Sequence, residues 1–153
     1  MIRQLYVAAA TWAGLGLAGG LYYRTLTHAQ DFTDGMSTQL APVHTHALVL
    51  GCLWMLVLLA LVKAFALEQS ARLRQFFVAW QIGLVITIGS MVYKGSMQVL
   101  GNIEAADSKA LAGISGMGHI ILTVAMILLF MGLKEVLATR TPAAERLPAA
   151  ADA

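Results

Sequence analysis

Residues 49–62 read VLGCLWMLVLLALV, a stretch without a charge and without alternation. A strand of a membrane barrel alternates apolar and polar over about ten residues. This stretch is apolar on every face, and backbone groups in lipid must be paired within their own segment, so it is a helix. Working outward, the apolar run extends to Val43–Val62. That is enough to cross a hydrocarbon core of ~30 Å at ~1.5 Å per residue.

Three further stretches qualify: Leu5–Tyr23, Phe76–Val92 with a less clean continuation to Leu100, and Ala110–Leu133. With flanks, the expected spans are about 5–24, 41–64, 75–100 and 109–134, in one domain over 1–138. The fold class is all-α, an integral membrane four-helix bundle. The first stretch follows Arg3 as a secretory leader would, but it is longer than an ordinary h-region and is read as a retained helix. Residues 139–153, TRTPAAERLPAAADA, are Ala/Pro-rich and polar and read as a disordered cytoplasmic tail. No internal repeat supports a transporter built from inverted halves.

Composition agrees. Of 153 residues 59% are hydrophobic and 12% charged, about half the usual charge, and the mean hydropathy is +0.74. A net charge of +2 with no basic run excludes a nucleic-acid partner. The single cysteine, Cys52, excludes an internal disulfide, and without C-x-x-C-H there is no covalent c-type haem. Gly14, Gly16, Gly19 and Gly20 in the first span suggest close helix packing. The methionines read as core filler and the three tryptophans as needing no special role.

Seven of the ten basic residues fall on one side if both termini and the 63–75 loop share it. That bias predicts cytoplasmic N and C termini, with loops 25–42 and 101–109 facing outward. All four histidines then lie in the outer half. His28 is expected in the first outer loop, His44 and His46 near the outer end of the second helix, and His119 in the fourth. Arg24, taken as ending the first helix, and Lys94 in the third join them. Ionisable groups inside a membrane are costly and usually mark a site.

Depth depends on where the helices start. With Asp107 or Ser108 as cap, His119 lies about 16 Å down. With Ser37 or Thr38 as cap, His46 lies ~12–14 Å down, whereas a helix opened by Pro42 leaves both second-helix histidines shallow. His44 and His46 are about 200° apart and cannot both face one ligand. Depth favours His46; face favours His44, whose stripe continues through Leu48, Gly51 and Met55. In the fourth helix Ala112, Ser115, Gly116, His119, Thr123 and Met126 form the expected inward face. Gly83, Thr87, Ser90, Lys94 and Gln98 form a polar stripe in the third, and Ala13, Gly16, Gly20 and Arg24 line up in the first.

Two neutral imidazoles from facing helices are a common axial pair for b-type haem. Small residues leave room for the macrocycle, and Arg24 and Lys94 stand where propionates need cations. The expectation is a haem b protein for electron transfer, with quinone or a redox protein as partner, or for sensing a small gas, with His119 and either His46 or His44 as ligands. Copper or zinc held by the same histidines, and a non-catalytic accessory subunit, are the alternatives.

Across TQLAPVHTHALVLG, IGLVITIGSMVYKGSMQVLG and ISGMGHIILTVAMILLFMGLK the chain resembles a family of small bacterial four-helix membrane proteins whose function is unknown. The resemblance runs from Leu15 to Lys134 and implies the fold and a membrane location. The second helix is also similar to the haem-ligand helix of haem-copper oxidase and nitric-oxide reductase catalytic subunits. Aligned on His-Thr, that similarity implies His44 as ligand; aligned on a histidine with glycine five residues later, it implies His46 with Gly51. The further histidines of a copper-containing catalytic centre are missing, so it implies at most a low-spin haem.

Overall fold

The structure, a computed structural model, describes residues 1–32, 36–65, 67 and 70–140. Among these residues all regular structure is helical. Helix α1 spans Ile2–Ala29, α2 Val43–Phe65, α3 Ala71–Val99 and α4 Lys109–Arg140, with a single turn over Ile103–Ala106 before α4. Each of the four, α4 counted with that turn, is long and apolar enough to cross a membrane. Helix α4 runs through Arg140, past the expected boundary at 138; the rest of the expected tail, 141–153, lies outside the described residues.

The ends are set by local chemistry. Ser70 and Ser108 accept the Leu73 and Leu111 amides, capping α3 and α4. Helix α3 closes in a Schellman motif: Gly101, at φ +73°, donates to Gln98 O, and Asn102 donates to Met97 O. Helix α2 opens at Val43 with Pro42 as N-cap. Thr38 does not cap it; its hydroxyl donates instead to Gly95 O of α3 at 2.9 Å. Helix α1 continues beyond Arg24, so His28, expected in a loop, lies exposed on its last turn.

Lipid offers no hydrophobic drive for helices to associate, so close packing and buried hydrogen bonds hold this bundle. Small residues provide the close approach. A Cβ on Gly16 would fall 2.8 Å from Leu48, and one on Gly51 would fall 2.3 Å from Trp12. These contacts join α1 and α2 as an antiparallel pair. On the other side of the molecule α3 and α4 meet through Gly83 against Leu122 and Gly118 against Thr87. Arg72 pairs with Glu135 near one end of that hairpin, and Lys94 with Asp107 at the other.

Helix α3 links the two pairs. Trp12 Nε1 donates to Gln81 Oε1 at 2.7 Å, and Gln81 Nε2 donates to Met55 Sδ at 3.3 Å. Trp80 Nε1 donates to Leu50 O at 3.1 Å, and its ring lies 6.0 Å from Trp54 and 5.6 Å from Phe76. The tryptophans are therefore structural hubs rather than incidental residues. Within α2, Ala47–Leu53 is π-helical, with the Trp54 amide bonded to Val49 O five residues back.

The packed face of α4 differs from the expected one. Leu111, Gly118, Ala125 and Leu129 are buried against α3, whereas Ala112, Gly116, His119 and Thr123 are exposed and Ser115 and Met126 half-buried. Gly118 decides this: its missing side chain admits Thr87, so the face carrying Gly118 makes the close approach. The small and polar stripe is left on the flank.

Candidate cofactor groove between α2 and α4

The flank of α4 that carries His119 opens onto a cavity. Gln39, Ser90, Met91, Lys94, Leu111, Ala112 and Ser115 line a space of about 300 Å³. Gln39 belongs to the segment leading into α2, so this side of α4 looks toward the start of α2. His119 follows Ala112 and Ser115 by seven and four residues and shares their side, directly beneath the cavity. Gly116 has nothing within 4 Å of where a Cβ would stand, which leaves room beside the imidazole.

On α2, His46, Leu50 and Trp54 are half-buried along one side, the side where Trp54 meets Trp80. His46 stands one turn, about 6 Å, beyond Leu50. That brings it level with the part of α3 just past Trp80. Gly83 and Thr87, in the same part of α3, meet Gly118 of α4. His46 and His119 thus belong to two different helices, α2 and α4, that each pack against α3. The cavity itself is lined by α3, α4 and Gln39, and neither imidazole is among its lining residues.

Their ring chemistry matches. His46 Nδ1 lies 2.9 Å from Pro42 O, and His119 Nδ1 lies 2.9 Å from Ser115 O. A carbonyl only accepts, so each Nδ1 carries the proton and donates, and each Nε2 keeps a free lone pair. Metal-ligating histidines are usually oriented in this way, by a backbone or carboxylate partner on the second nitrogen.

His44 differs. It packs against Gly20 of α1, its Nε2 contacts Thr45 Oγ1 at 3.3 Å, and its buried Nδ1 has no partner. Face and depth therefore separate as the 200° spacing requires, His44 toward α1 and His46 toward α3.

Lys94 lines the cavity, with Asp107 Oδ1 3.2 Å from its Nζ. An internal carboxylate already pairs with the ammonium, so a ligand carboxylate would have to compete with Asp107 for it. Arg24 is not brought to this place. It is exposed, one turn beyond Gly20 on the His44 side, and about 200° from Tyr22. At this end of α1 the Tyr22 hydroxyl is the group that reaches α3, meeting Ser96 Oγ at 3.0 Å. Gly51 is likewise a packing glycine closed by Trp12, with no space for a cofactor. Among the described residues no three His, Cys, Asp or Glu side chains gather at metal-binding range.

Sequence reasoning missed the Trp12–Gln81–Met55 and Trp80–Leu50 links. The signal was the lone Gln81 beside Trp80 in FFVAWQIGLV, a polar side chain that needs a partner inside an apolar span.

The family model described as "Protein of unknown function (DUF2871)" matches residues 2–136. The chain belongs to this family. The match covers all four spanning helices of a DUF2871 protein. No curated protein and no solved structure matches the chain.

Proposed function

We propose that this DUF2871 protein is a b-type haem-binding protein of the bacterial inner membrane, with both termini cytoplasmic. It would serve electron transfer with a quinone or protein partner, or binding of a small gas. What supports the reading is the pair of imidazoles on α2 and α4, each with Nδ1 donating to the carbonyl four residues back and Nε2 left on the other side of the ring. A haem asks for two axial donors, whereas a copper or zinc chelate asks for three or four gathered together. Two imidazoles without a third donor beside them favour the first reading.

His46 and His119 would be the axial ligands, their rings held in one tautomer by Pro42 O and Ser115 O. Gly116 leaves clearance beside the ring, and Lys94 with Gln39 would hold carboxylates at the outer end. The haem would supply one-electron or gas-binding chemistry at iron, and the chain supplies ligation, charge and exclusion of water. His44, half-buried on the α1 side, stays outside the proposed ligand set.

The test is an absorption spectrum of the purified protein in detergent, alone and after haem addition. A Soret band with sharp α and β bands on reduction is expected. It should disappear in His46→Ala and in His119→Ala and persist in His44→Ala. A colourless protein that takes up no haem would overturn the proposal.

A further inference from the structure

We infer that Trp80 is a positioning residue whose indole N–H maintains the π-helical stretch of α2 and thereby turns His46 toward the groove. Its meaning as ligand positioning rests on the haem reading; its geometry does not.

The hydrogen bonds of α2 define the role. The Trp54 amide reaches five residues back to Val49 O. An α-helical pattern resuming beyond it reaches four back, which by its geometry assigns the Met55 amide to Gly51 O. Leu50 O is passed over by both patterns. Trp80 Nε1, 3.1 Å away, donates to that carbonyl. In lipid an unpaired carbonyl is costly, so a donor at this one place favours the π-helical form over a uniform α-helix. Gly51 contributes by receiving the Trp12 ring where any Cβ would collide.

The consequence is rotational. A π-helical stretch holds one residue more than an α-helix between the same ends, an offset of about 100° for everything upstream. In a uniform α-helix His46 would drift about 80° from Trp54 over the eight intervening steps. The additional residue removes most of that drift and stacks His46, Leu50 and Trp54 on the side that meets Trp80. Without the bond to Leu50 O the helix regularises, and His46 leaves that side.

The experiment uses the full chain in nanodiscs with Trp80→Phe, which retains an aromatic ring and removes the donor. Spin labels on Thr45→Cys with Ile120→Cys, and on Leu56→Cys with Ile127→Cys, both with Cys52→Ala, report the two halves of α2 relative to α4. In Trp80→Phe the first distance distribution should shift and the second stay. Added haem should be retained at least tenfold more weakly, or lose the six-coordinate spectrum. Deleting Val49, which is exposed, removes the additional residue itself and leaves His46 aligned in a regular helix. In that background Trp80→Phe should be silent in both measurements.

Unchanged distances with a wild-type spectrum in Trp80→Phe would overturn the inference. So would equal damage in the Val49-deleted background, which would make Trp80 a packing residue alone. If Trp80→Phe alone fails to assemble, the Val49-deleted form with the same substitution decides: intact, it supports the inference; unfolded, it refutes it. Should the wild-type protein take up no haem, the haem proposal falls while the label distances still judge the helix geometry.

Discussion

Gly118→Ala is expected to destabilise the protein although it replaces a poor helix former by the best one. An added Cβ would stand 2.5 Å from Thr87 Oγ1, 3.1 Å from the Thr87 amide nitrogen and 3.2 Å from Ile86 Cγ2. Ordinary non-bonded separation is about 3.5 Å, so α3 and α4 would have to part by roughly 1 Å. Overpacking of this kind costs about 1–3 kcal/mol. The propensity gain opposes it by at most ~1 kcal/mol, leaving a net loss of about 1–2 kcal/mol. Gly113→Ala, five residues earlier in the same helix, meets nothing within 4 Å. It should instead gain about 0.5–1 kcal/mol. Near 2 kcal/mol between the two substitutions is about thirtyfold in the folding equilibrium. Reversible unfolding in mixed micelles by added SDS, followed by circular dichroism, measures both. Adding Thr87→Ala to Gly118→Ala should recover about 1 kcal/mol, since the two sites share the contact. A Gly118→Ala protein as stable as Gly113→Ala would refute the α3–α4 interface described above.

Three further outcomes test the core and the groove. Gln81→Leu leaves Trp12 Nε1 without its acceptor and should cost about 1–3 kcal/mol in the same titration. Lys94→Met should weaken retention of added haem, whereas Asp107→Asn, which frees the ammonium from its internal partner, should leave it equal or tighter; both are read by spectroscopic titration. Gly116→Leu fills open space, so it should preserve the SDS midpoint within about 0.5 kcal/mol while abolishing the Soret band.

The four spans were legible because lipid imposes a length and an all-round apolar character that soluble helices lack. Starts and stops were less so. Pro42 and Thr38 offered competing starts for α2, and the choice turned on Gly95, fifty-seven positions away from Thr38, which takes the Thr38 hydroxyl on its carbonyl. Of the candidate site, the residue types were legible, and Lys94 does line the cavity beside α4. Facing was not. Which side of α4 packs was decided by the close fit of Gly118 on Thr87, and 3.6-residue periodicity alone could not rank two plausible stripes. The π-helical stretch is invisible to any pattern that assumes a constant turn, so which of His44 and His46 faces α3 emerged only from the folded chain. Arg24 and Gly51 show the converse, types suited to a cofactor that packing assigns elsewhere.

The seat of Thr38–Leu40 on Gly95 and the indole that serves Leu50 O both belong to α3. A ribosome delivers α2 first. The histidine end of the second helix therefore waits, during synthesis, for a segment not yet made, and it settles only after residue 95 has left the ribosome. Insertion of the first two spans and final aiming of their imidazoles are separate events in the life of this chain.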